Sequence, residues 1–433
     1  MYCMKLFFSS IFIILSLNFI FSNDLSQDIK VLNLSLNESI GKALKNNLLL
    51  NKERLIFEDK KIDYYTVFNK FYPDLNVSGS LGIKEESGSF NFSLSSSSNF
   101  NARMIFEILD AKYSYLIGKT SYDQAKKLLE KNVKKLYFKL VLQKKEITAK
   151  EKLLENAKNR FNKSAIQFKQ GEISELDKLN EELTYKTIIP EITKLENDLR
   201  NNCNQFSLLI GLDSGVRINL TDEIPKIDAA QIEDINSSKN LLDDNYDLKT
   251  LKIKIEKEKN SNNILISSLT PTFRVAYSLS LATAKNIFKD NFEFNPEKDW
   301  SDSQNLSFSV SLPIHSAFPF SSNQTGIIKQ NSVLKRASLD LANETKKKQI
   351  EFLNLILTLK QIGESFEILN FNFKLSEKIL KLTENGFYEG SKNFLDVKDA
   401  EKNLLDANLK LERAYYEYYE NYIELIGLLN KPE

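Results

Sequence analysis

Few side chains in this sequence are suited to catalysis. The 433 residues include one histidine and two cysteines, which leaves little material for histidine-based or thiol-based chemistry. A hydrolase built on serine, histidine and aspartate would have to use His315, the single histidine. His315 follows a predicted strand, where it could act as a pH-sensitive group or have a structural role. We therefore predict that the protein is not an enzyme and uses no cofactor and no catalytic metal ion.

An acidic pair near the C-terminus, Asp396 and Asp399, is the strongest candidate for a charge-dependent function. Residues three apart on a helix share a face, so both carboxylates would point to the same side at the start of the last predicted helix. Closely spaced carboxylates favour cations and can bind a multivalent one. The alternative role is structural: Asn393 caps the helix, and Asp396 complements its positively polarised N-terminus.

The composition predicts long, uninterrupted elements around these residues. Only 13 glycines and 8 prolines punctuate the chain, and 42% of the residues are hydrophobic, which favours long helices in a folded protein over disorder. Lys and Arg number 59 against 58 for Asp and Glu. This balance of charge does not indicate a nucleic-acid partner.

The N-terminus has the features of an export signal. Lys5 precedes an apolar run from Leu6 to Phe21, and small and polar residues follow. We predict residues 1–22 as a signal peptide. An uncleaved membrane anchor is the alternative, although the run is short for a span of about 20 residues. After cleavage Cys203 is the single cysteine, so the mature chain can form no internal disulfide.

Four segments alternate between apolar and small polar residues, which is typical of strands whose two faces meet different surroundings. In residues 305–314 the apolar side chains occupy one parity, whereas asparagine and serine occupy the other. The same alternation is present in residues 74–83, 90–100 and 272–281.

The composition of the two faces favours a membrane barrel over a soluble, half-buried sheet. The polar positions carry small serine and asparagine, whereas a water-exposed sheet would carry lysine and glutamate. Membrane strands of about 9–11 residues are apolar toward lipid and polar toward the interior. Four strands cannot close a barrel and lipid tolerates no unpaired strand edge, so other copies of the chain must complete it. The predicted lipid-facing residues are Leu306, Phe308 and Val310, and the predicted lumen-facing residues are Ser307, Ser309 and Ser311.

The remaining sequence has the heptad spacing of long coiled-coil helices. Apolar residues recur every seven positions in two rows. The first row lies in a segment from about Arg103 to Phe168 that lacks proline, and a helix of that length would measure about 100 Å. Pro190 is expected to kink the helix from about Ser174 to Ile210. Such helices are too long for a globule and suit a tube. The rows are Val133, Leu140, Ile147, Leu154, Phe161 and Phe168, then Phe352, Leu359, Phe366, Phe373 and Leu380.

Three motifs recur in the same order and predict an internal duplication. We predict a first repeat over residues 23–212, an inter-repeat linker or equatorial segment over 213–242 and a second repeat over 243–433. Each repeat would contain a helix, two barrel strands (about 73–102 or 272–314), a long helix, a turn and a second helix. The first motif begins at Pro73 and Pro271, the second at Phe168 and Phe387, and the third, LIGL, at Leu209 and Leu425.

Four stretches of this chain resemble the TolC-like outer-membrane efflux proteins. They are LSLNESIGKALKNN, FYPDLNVSGSL, NLSFSVSLPI and GFYEGSKNFLDVKDAEKNLLDA, and the resemblance extends over essentially the whole mature chain. It implies a mixed α and β fold with four barrel strands per chain. Three chains would form one twelve-stranded transmembrane β-barrel, continued in the periplasm by a coiled-coil α-helical tunnel.

The resemblance also implies a function and partners. Such a protein is the outer-membrane exit duct of a tripartite efflux or type I secretion system, and it conducts drugs, solutes or secreted polypeptides passively. Its partners are a periplasmic adaptor and an inner-membrane transporter of the RND or ABC type. Two alternatives are a periplasmic coiled-coil adaptor and an exported adhesin. An adaptor should have one helical hairpin flanked by small mixed-β domains, and an adhesin does not explain the alternating strands.

The resemblance assigns roles at the periplasmic end of the tunnel. Asp396 and Asp399 match the aspartates of the constriction, where three copies would form two rings of carboxylates. Lys392 and Asp177 match the charged residues that hold neighbouring helix pairs shut.

Two residues depart from the best-known members of the family. Phe387 stands where a tyrosine hydroxyl links the coils, and Leu176 stands where a threonine does so. The missing hydroxyls predict a looser closed state.

Two loops between the predicted strands and a cluster of five tyrosines near the C-terminus also have recognisable patterns. Residues 85–89 are predicted as a short extracellular loop, and residues 285–303 as a long one. The tyrosines could form a membrane girdle, but their position on a heptad helix favours packing between coils. They are Tyr415, Tyr416, Tyr418, Tyr419 and Tyr422.

Overall fold

The computed structural model describes most of the chain after the predicted signal. The predicted signal peptide (1–22) and most of the predicted long loop (285–303) lie outside the described residues. The described residues are 31–84, 87–213, 217–225, 242–283 and 301–430.

Two long helical hairpins and a four-stranded sheet make up most of the described chain. The helices are α1 Leu36–Asn46, α2 Leu48–Thr66, α3 Ala102–Lys169, α4 Glu175–Ile210, α5 Tyr246–Ser267, α6 Ser322–Tyr388 and α7 Phe394–Leu429. The strands are β1 Val31–Leu34, β2 Asp74–Lys84, β3 Ser87–Phe100, β4 Arg217–Leu220, β5 Thr272–Thr283 and β6 Ser301–Ser311. Two short 3₁₀ helices, η1 Val67–Phe71 and η2 Ile314–Ala317, flank the sheet.

The long helices α3 and α6 contain 68 and 67 residues, so each is about 100 Å long. Each is followed by a glycine in the left-handed conformation, Gly171 with φ 77° and Gly390 with φ 76°, which residues with a Cβ rarely adopt. A short turn then leads into α4 or α7, each 36 residues long. The helix predicted from about Arg103 to Phe168 is confirmed.

The predicted heptad rows supply the buried contacts of the hairpins. Val133 and Leu140 of the first row are 0% and 1% exposed, and Leu359 of the second row is buried in a cluster with residues of α7. The tyrosines of α7 pack between helices, since the ring of Tyr419 lies 4.8 Å from that of Phe138. This contact favours the coil-packing interpretation over a membrane girdle.

The structure adds two features to the predicted architecture. The single helix predicted before the first strands is divided at Asn47, whose side chain caps α2 by accepting from Leu50 N at 2.9 Å. The segment predicted as a linker, residues 213–242, contains β4, which pairs in parallel with β1. Strands of four residues give little periodic signal, and their pairing joins segments that are far apart in the sequence.

Tyr137 attaches this small parallel sheet to α3. Its side chain is fully buried. Its hydroxyl donates to Leu34 O at 2.9 Å, and it accepts from Thr221 N at 3.1 Å and from Asp222 N at 3.0 Å. One hydroxyl therefore satisfies three backbone groups at the ends of β1 and β4.

Tyr137→Phe is expected to destabilise the fold, because Asp222 N would lose its partner, and a typical intramolecular hydrogen bond contributes about 0.5–1.5 kcal/mol. Urea unfolding followed by circular dichroism would measure the loss. Tyr185→Phe is the matched control, since the Tyr185 hydroxyl makes no hydrogen bond within the described chain. Equal unfolding midpoints for the two variants would contradict the anchoring role of Tyr137.

Asn47 and Asn245 occupy corresponding places in the two predicted repeats. Asn47 caps α2 and donates through Nδ2 to Leu209 O at 2.9 Å, near the end of α4. Asn245 caps α5 and donates to Leu428 O at 2.9 Å, near the end of α7. In each repeat, one asparagine therefore joins the start of one helix to the end of another.

The LIGL motifs do not correspond in this way. Gly211 is the C-cap of α4, with φ 69°. Gly427 lies inside α7, whose C-cap is Asn430 with φ 52°. The second LIGL therefore lies just inside the end of α7, whereas the first extends past the end of α4.

Candidate functional site: sheet faces and hairpin ends

The larger sheet is antiparallel, with strand order β2-β3-β5-β6, and its register places apolar residues opposite one another. Phe308 pairs with Val275, and Val310 pairs with Phe273. Side chains alternate between the two faces along each strand. One face of the sheet therefore collects most apolar side chains of the four strands. Gln304 and Asp302 of β6 also lie on this face, opposite Leu279 and Leu281.

The opposite face is lined by small hydroxyl and amide side chains. One row crosses the four strands through Ser78, Ser93, Ser280 and Ser303. The Oγ atoms of Ser78 and Ser93 are hydrogen-bonded at 2.7 Å, and Ser280 donates to Asn91 Oδ1 at 3.0 Å. The side chains of this face hydrogen-bond to one another. Each of them therefore offers only a weak hydrogen-bonding position to another molecule.

In a single copy of the chain, both faces of the edge strand β6 are exposed. Its three predicted lipid-facing side chains are 59%, 73% and 65% exposed. Within the described chain, the outer edges of β2 and β6 have no strand partner. An open sheet with such a face is incomplete as a soluble structure. The predicted lipid-facing residues Leu306, Phe308 and Val310 lie on one parity, and the predicted lumen-facing residues Ser307, Ser309 and Ser311 lie on the other.

Two details of the sheet differ from the expectation. The loop predicted at residues 85–89 is shorter, because β3 begins at Ser87 and antiparallel strands can be joined by two residues. Ser96 and Ser98 lie on the apolar parity of β3, opposite Tyr277 and Val275. The apolar face therefore contains two hydroxyls near the end of the sheet that leads into α3.

Asp396 and Asp399 make different contacts at the start of α7. Asp396 N donates to Asn393 Oδ1 at 2.9 Å, and Asn393 N donates to Asp396 Oδ2 at 3.0 Å. This reciprocal pair is a capping box, as the structural alternative for Asp396 requires. Asp399 instead accepts from Arg160 Nη1 of α3 at 3.0 Å, and 64% of its side chain is exposed. Arg160 Nε also lies 3.5 Å from Glu181 Oε2 of α4.

The other predicted gate residues lie at the two hairpin turns. Ser174 Oγ donates to Asp177 Oδ2 at 2.6 Å in the capping box of α4. Within the described chain, no ion pair joins Asp177 to Lys392. Leu176 is 67% exposed and Phe387 is 41% exposed. Each turn therefore presents an apolar side chain beside a charged one.

A polar ladder joins the two hairpins, although no pattern in the sequence predicts it. Residue numbers rise along α3 as they fall along α7, so the contacts have an antiparallel register. Basic residues of α3 face acidic residues of α7 at most steps. The ladder consists of Lys131 with Glu424 (2.7 Å), Lys135 with Glu420 (2.9 Å), Lys145 with Glu412 (2.8 Å), Glu146 with Arg413 (2.5 Å), Asn156 with Glu401 (2.9 Å) and Arg160 with Asp399 (3.0 Å).

Glu424 is the acid of the ladder that two lysines share. It accepts from Lys131 at 2.7 Å and from Lys135 at 2.9 Å. Partial burial raises the pKa of Glu424, but the hydrogen bonds and charges of the two lysines outweigh burial and bring its pKa below the usual value. A carboxyl whose pKa is lowered by folding stabilises the fold above its unfolded pKa of about 4.3. That stabilisation is lost as the pH falls through the folded pKa.

Acid is therefore expected to loosen the contact between α3 and α7. Amide hydrogen exchange, corrected for its intrinsic pH dependence, should show α7 losing protection as the pH falls below about 4.3. Glu424→Gln should have weaker protection at neutral pH and a smaller response to acid. The same acid response in both proteins would contradict a contribution of Glu424 to this contact.

Comparisons with known proteins give matches among solved structures. No protein-family model and no curated protein matches the chain. One match is CusC, whose structures concern its folding and transmembrane channel formation. It has a TM-score of 0.73 and 18% identity, over 95% of this chain and 96% of that one. The Campylobacter jejuni CmeC outer membrane channel matches with a TM-score of 0.74 and 16% identity, over 91% and 85%. This chain has the fold of outer-membrane channels. The open state of the Neisseria gonorrhoeae MtrE outer membrane channel agrees, with a TM-score of 0.71 and 17% identity over 94% of both chains.

The channel fold confirms the predicted mixed α and β class and, at the level of the fold, the resemblance to TolC-like proteins. The matched structures are channels and not enzymes. In the part of the chain that the structure describes, no helix combines the length and apolar character needed to cross a membrane. Among the same residues, no cluster of three or more His, Cys, Asp or Glu side chains could hold a metal ion.

Proposed function

We propose that this chain forms the outer-membrane exit duct of a tripartite efflux or type I secretion system. Three copies would close a twelve-stranded barrel in the outer membrane, and their helical hairpins would continue as a tunnel through the periplasm. The sheet register supports this proposal most directly, because it places most apolar side chains of the four strands on one face and mainly serine and asparagine on the other. Solutes would pass without any catalytic step.

The two faces suit lipid on the outside and water on the inside. The apolar face would meet lipid chains, where a row of leucine, phenylalanine and valine is stable without further cover. The opposite face would line the lumen. Hydroxyls that already bond to one another, such as Ser78 and Ser93, offer exchangeable hydrogen bonds without a tight binding site. Such a lining suits the passage of varied molecules.

The exposed surface of α6 supports assembly from several copies. One apolar row of this helix packs against α7. A second row, with spacings mostly of three and four, is exposed in the single chain, as expected of a coiled-coil seam that lacks its partner helix. Together with the two open sheet edges, this row favours the homotrimer. Its members are Ile350, Leu353, Leu357, Ile368, Phe371, Leu375, Ile379 and Leu382.

The hairpin turns would form the periplasmic constriction. Three copies would bring Asp396 and Asp399 into two rings of carboxylates at the start of α7. Arg160 neutralises part of the charge of Asp399 within each chain. The net field at the constriction is then weaker than six free carboxylates would give, but it still favours cations.

Closure of the constriction would depend on contacts between copies. Lys392 and Asp177 would pair across neighbouring hairpins, and an exposed pair of this kind contributes about 1 kcal/mol or less. Phe387 and Leu176 provide no hydroxyl to reinforce it. A loosely held closed state follows from this set of residues.

A passive duct requires an energy source elsewhere. We propose that a periplasmic adaptor and an inner-membrane transporter of the RND or ABC type deliver the substrate to the hairpin turns. The four-stranded sheet and the likeness to channels over more than nine-tenths of the chain favour this role over that of an adaptor or an adhesin.

Cell fractionation followed by a mass measurement tests the proposal. The protein should stay in the outer membrane until detergent extracts it, and light scattering corrected for bound detergent should give three times the mass of the mature chain. A protein released with the soluble periplasmic fraction, or a stable monomer that keeps its sheet, would overturn the proposed function.

A further inference from the structure

Arg274 of β5 stands among small, uncharged side chains on the hydroxyl-lined face of the larger sheet. The other described strand residues of this parity are serine, threonine, asparagine, alanine and glycine, apart from the two end residues of β2. Those two, Asp74 and Lys84, are the first and last residues of that strand. Arg274 therefore places a positive charge in a lining that is otherwise uncharged between the strand ends.

Arg274 has a polar neighbour on each side in the same row of the sheet. It pairs with Asn99 of β3 and with Ser309 of β6, and directly opposed residues on antiparallel strands have Cβ atoms about 4.5–5.5 Å apart. All three residues are exposed. The guanidinium, the amide and the hydroxyl each carry hydrogen-bond donors, so the row forms a continuous donor surface.

The donors of this row are unused within the part of the chain that the structure describes. The side chains of Asn99, Arg274 and Ser309 make no hydrogen bond and no ion pair there. Elsewhere on the same face, polar side chains bond to one another, as the Ser78 hydroxyl does to that of Ser93. The row of Arg274 is therefore better able to bind another molecule than the rows whose hydroxyls are already paired.

Asp74, the acid of the same parity, does not neutralise Arg274 by direct contact. It pairs with Ser97 of β3, whose partner on β5 is Ala276. Two strand spacings, about 10 Å, therefore separate Asp74 from β5. The guanidinium keeps its full charge toward the solvent.

The proposed trimer would place three copies of this row around one lumen. With strands about 4.8 Å apart and tilted by about 40°, a twelve-stranded barrel has a radius of about 12 Å. That radius is close to the Debye length, which is about 8–10 Å at ionic strengths of 0.1–0.15 M. Three guanidinium groups that extend inward would therefore act on ions across much of the lumen.

We propose that Arg274, together with Asn99 and Ser309, forms a subsite for anionic groups in the barrel lumen. Its ligands are carboxylate, phosphate and sulfate groups, whose oxygens match the planar fork of a guanidinium. The inference rests on the proposed function and adds a substrate preference to it. The barrel favours solutes with an anionic group, whereas the acidic constriction favours cations.

Block of the channel current by citrate, a trivalent anion, tests this subsite. Citrate is added on the barrel side of a planar bilayer at constant ionic strength, and blocking affinity and reversal potential are measured. Arg274→Gln should weaken the block about tenfold or more, because a hydrogen bond to a charged group contributes at least that factor. It should also shift ion selectivity toward cations. Arg274→Lys keeps the charge and loses the fork, so it should retain the selectivity and lose part of the block.

Three further variants separate binding from charge. Asn99→Ala should weaken the block without changing selectivity, and it decides the case if Arg274→Gln does not assemble. Asp74→Asn should shift selectivity toward anions. Arg200→Gln removes the same charge from an exposed position on α4 and should leave the block unchanged.

Two failures can be told apart. Current steps that citrate does not block, or blocks equally in the wild type, Arg274→Gln and Asn99→Ala, would overturn the subsite and leave the proposed duct intact. A wild-type protein that produces no current steps would instead contradict the duct itself.

Discussion

Phe308→Lys and Val310→Lys are expected to prevent assembly in the outer membrane, whereas Ser307→Lys and Ser309→Lys are expected to assemble. The two pairs are neighbours on one strand and differ in the face on which they lie. A lysine that faces lipid near mid-bilayer costs about 2–4 kcal/mol, and the proposed assembly would include that cost three times. A lysine on the opposite face would extend into the water-filled lumen and remain hydrated.

Outer-membrane fractionation and the heat-sensitive mobility of the trimer on gels would measure this difference. The serine variants should also change ion selectivity toward anions, because each adds three positive charges to the lumen. Phe308→Leu is the matched control, since it keeps the face apolar and should assemble normally. If lysine is tolerated equally on both parities, the strands do not lie in a membrane.

The second large effect is expected at the hairpin turns. Replacing both Asp396 and Asp399 by Asn removes six charges from a trimer while nearly preserving shape. The isolated channel should lose most of its preference for cations and its block by multivalent cations from the periplasmic side. Asn at position 396 can still accept from Asn393 N, so α7 should keep its cap.

Planar-bilayer recording of reversal potential and of blocking affinity would test this expectation. The control variant replaces Asp198 and Asp340 by Asn, which removes the same number of charges from exposed positions on α4 and α6. That variant should retain both selectivity and block. If the first double variant also retains them, Asp396 has only its capping role, and Asp399 serves only as the partner of Arg160.

The parts of the fold with a repeated local pattern could be predicted from the sequence. Alternation with a period of two located the strands of the four-stranded sheet, and heptad rows located α3 and α6, because both patterns record the different surroundings of the two faces of one element. The register of the sheet then followed the same pattern: Val275 lies opposite Phe308. The four-residue strands β1 and β4 were missed, because their pairing depends on Tyr137 and on contacts between distant segments.

The candidate site was predictable in part. The sequence identified Asp396 and Asp399 as a pair, yet the structure gives them separate partners, Asn393 within the helix turn and Arg160 on another hairpin. Neither helix alone has a signal for the ladder between α3 and α7. It becomes visible only when the charges of one helix are set against those of the other in antiparallel order. Charged residues on a helix surface are usually solvated, so sequence periodicity does not separate paired ones from free ones.

The conductance of the purified protein in a planar lipid bilayer tests the proposed duct most directly. A barrel open to water and joined to a tunnel should pass ions, so addition of the protein should produce discrete current steps. The size of the steps should not depend on protein concentration, and their frequency should increase with it. A protein that floats with lipid vesicles yet produces no current steps would contradict the proposal that this chain forms a conduit across the outer membrane.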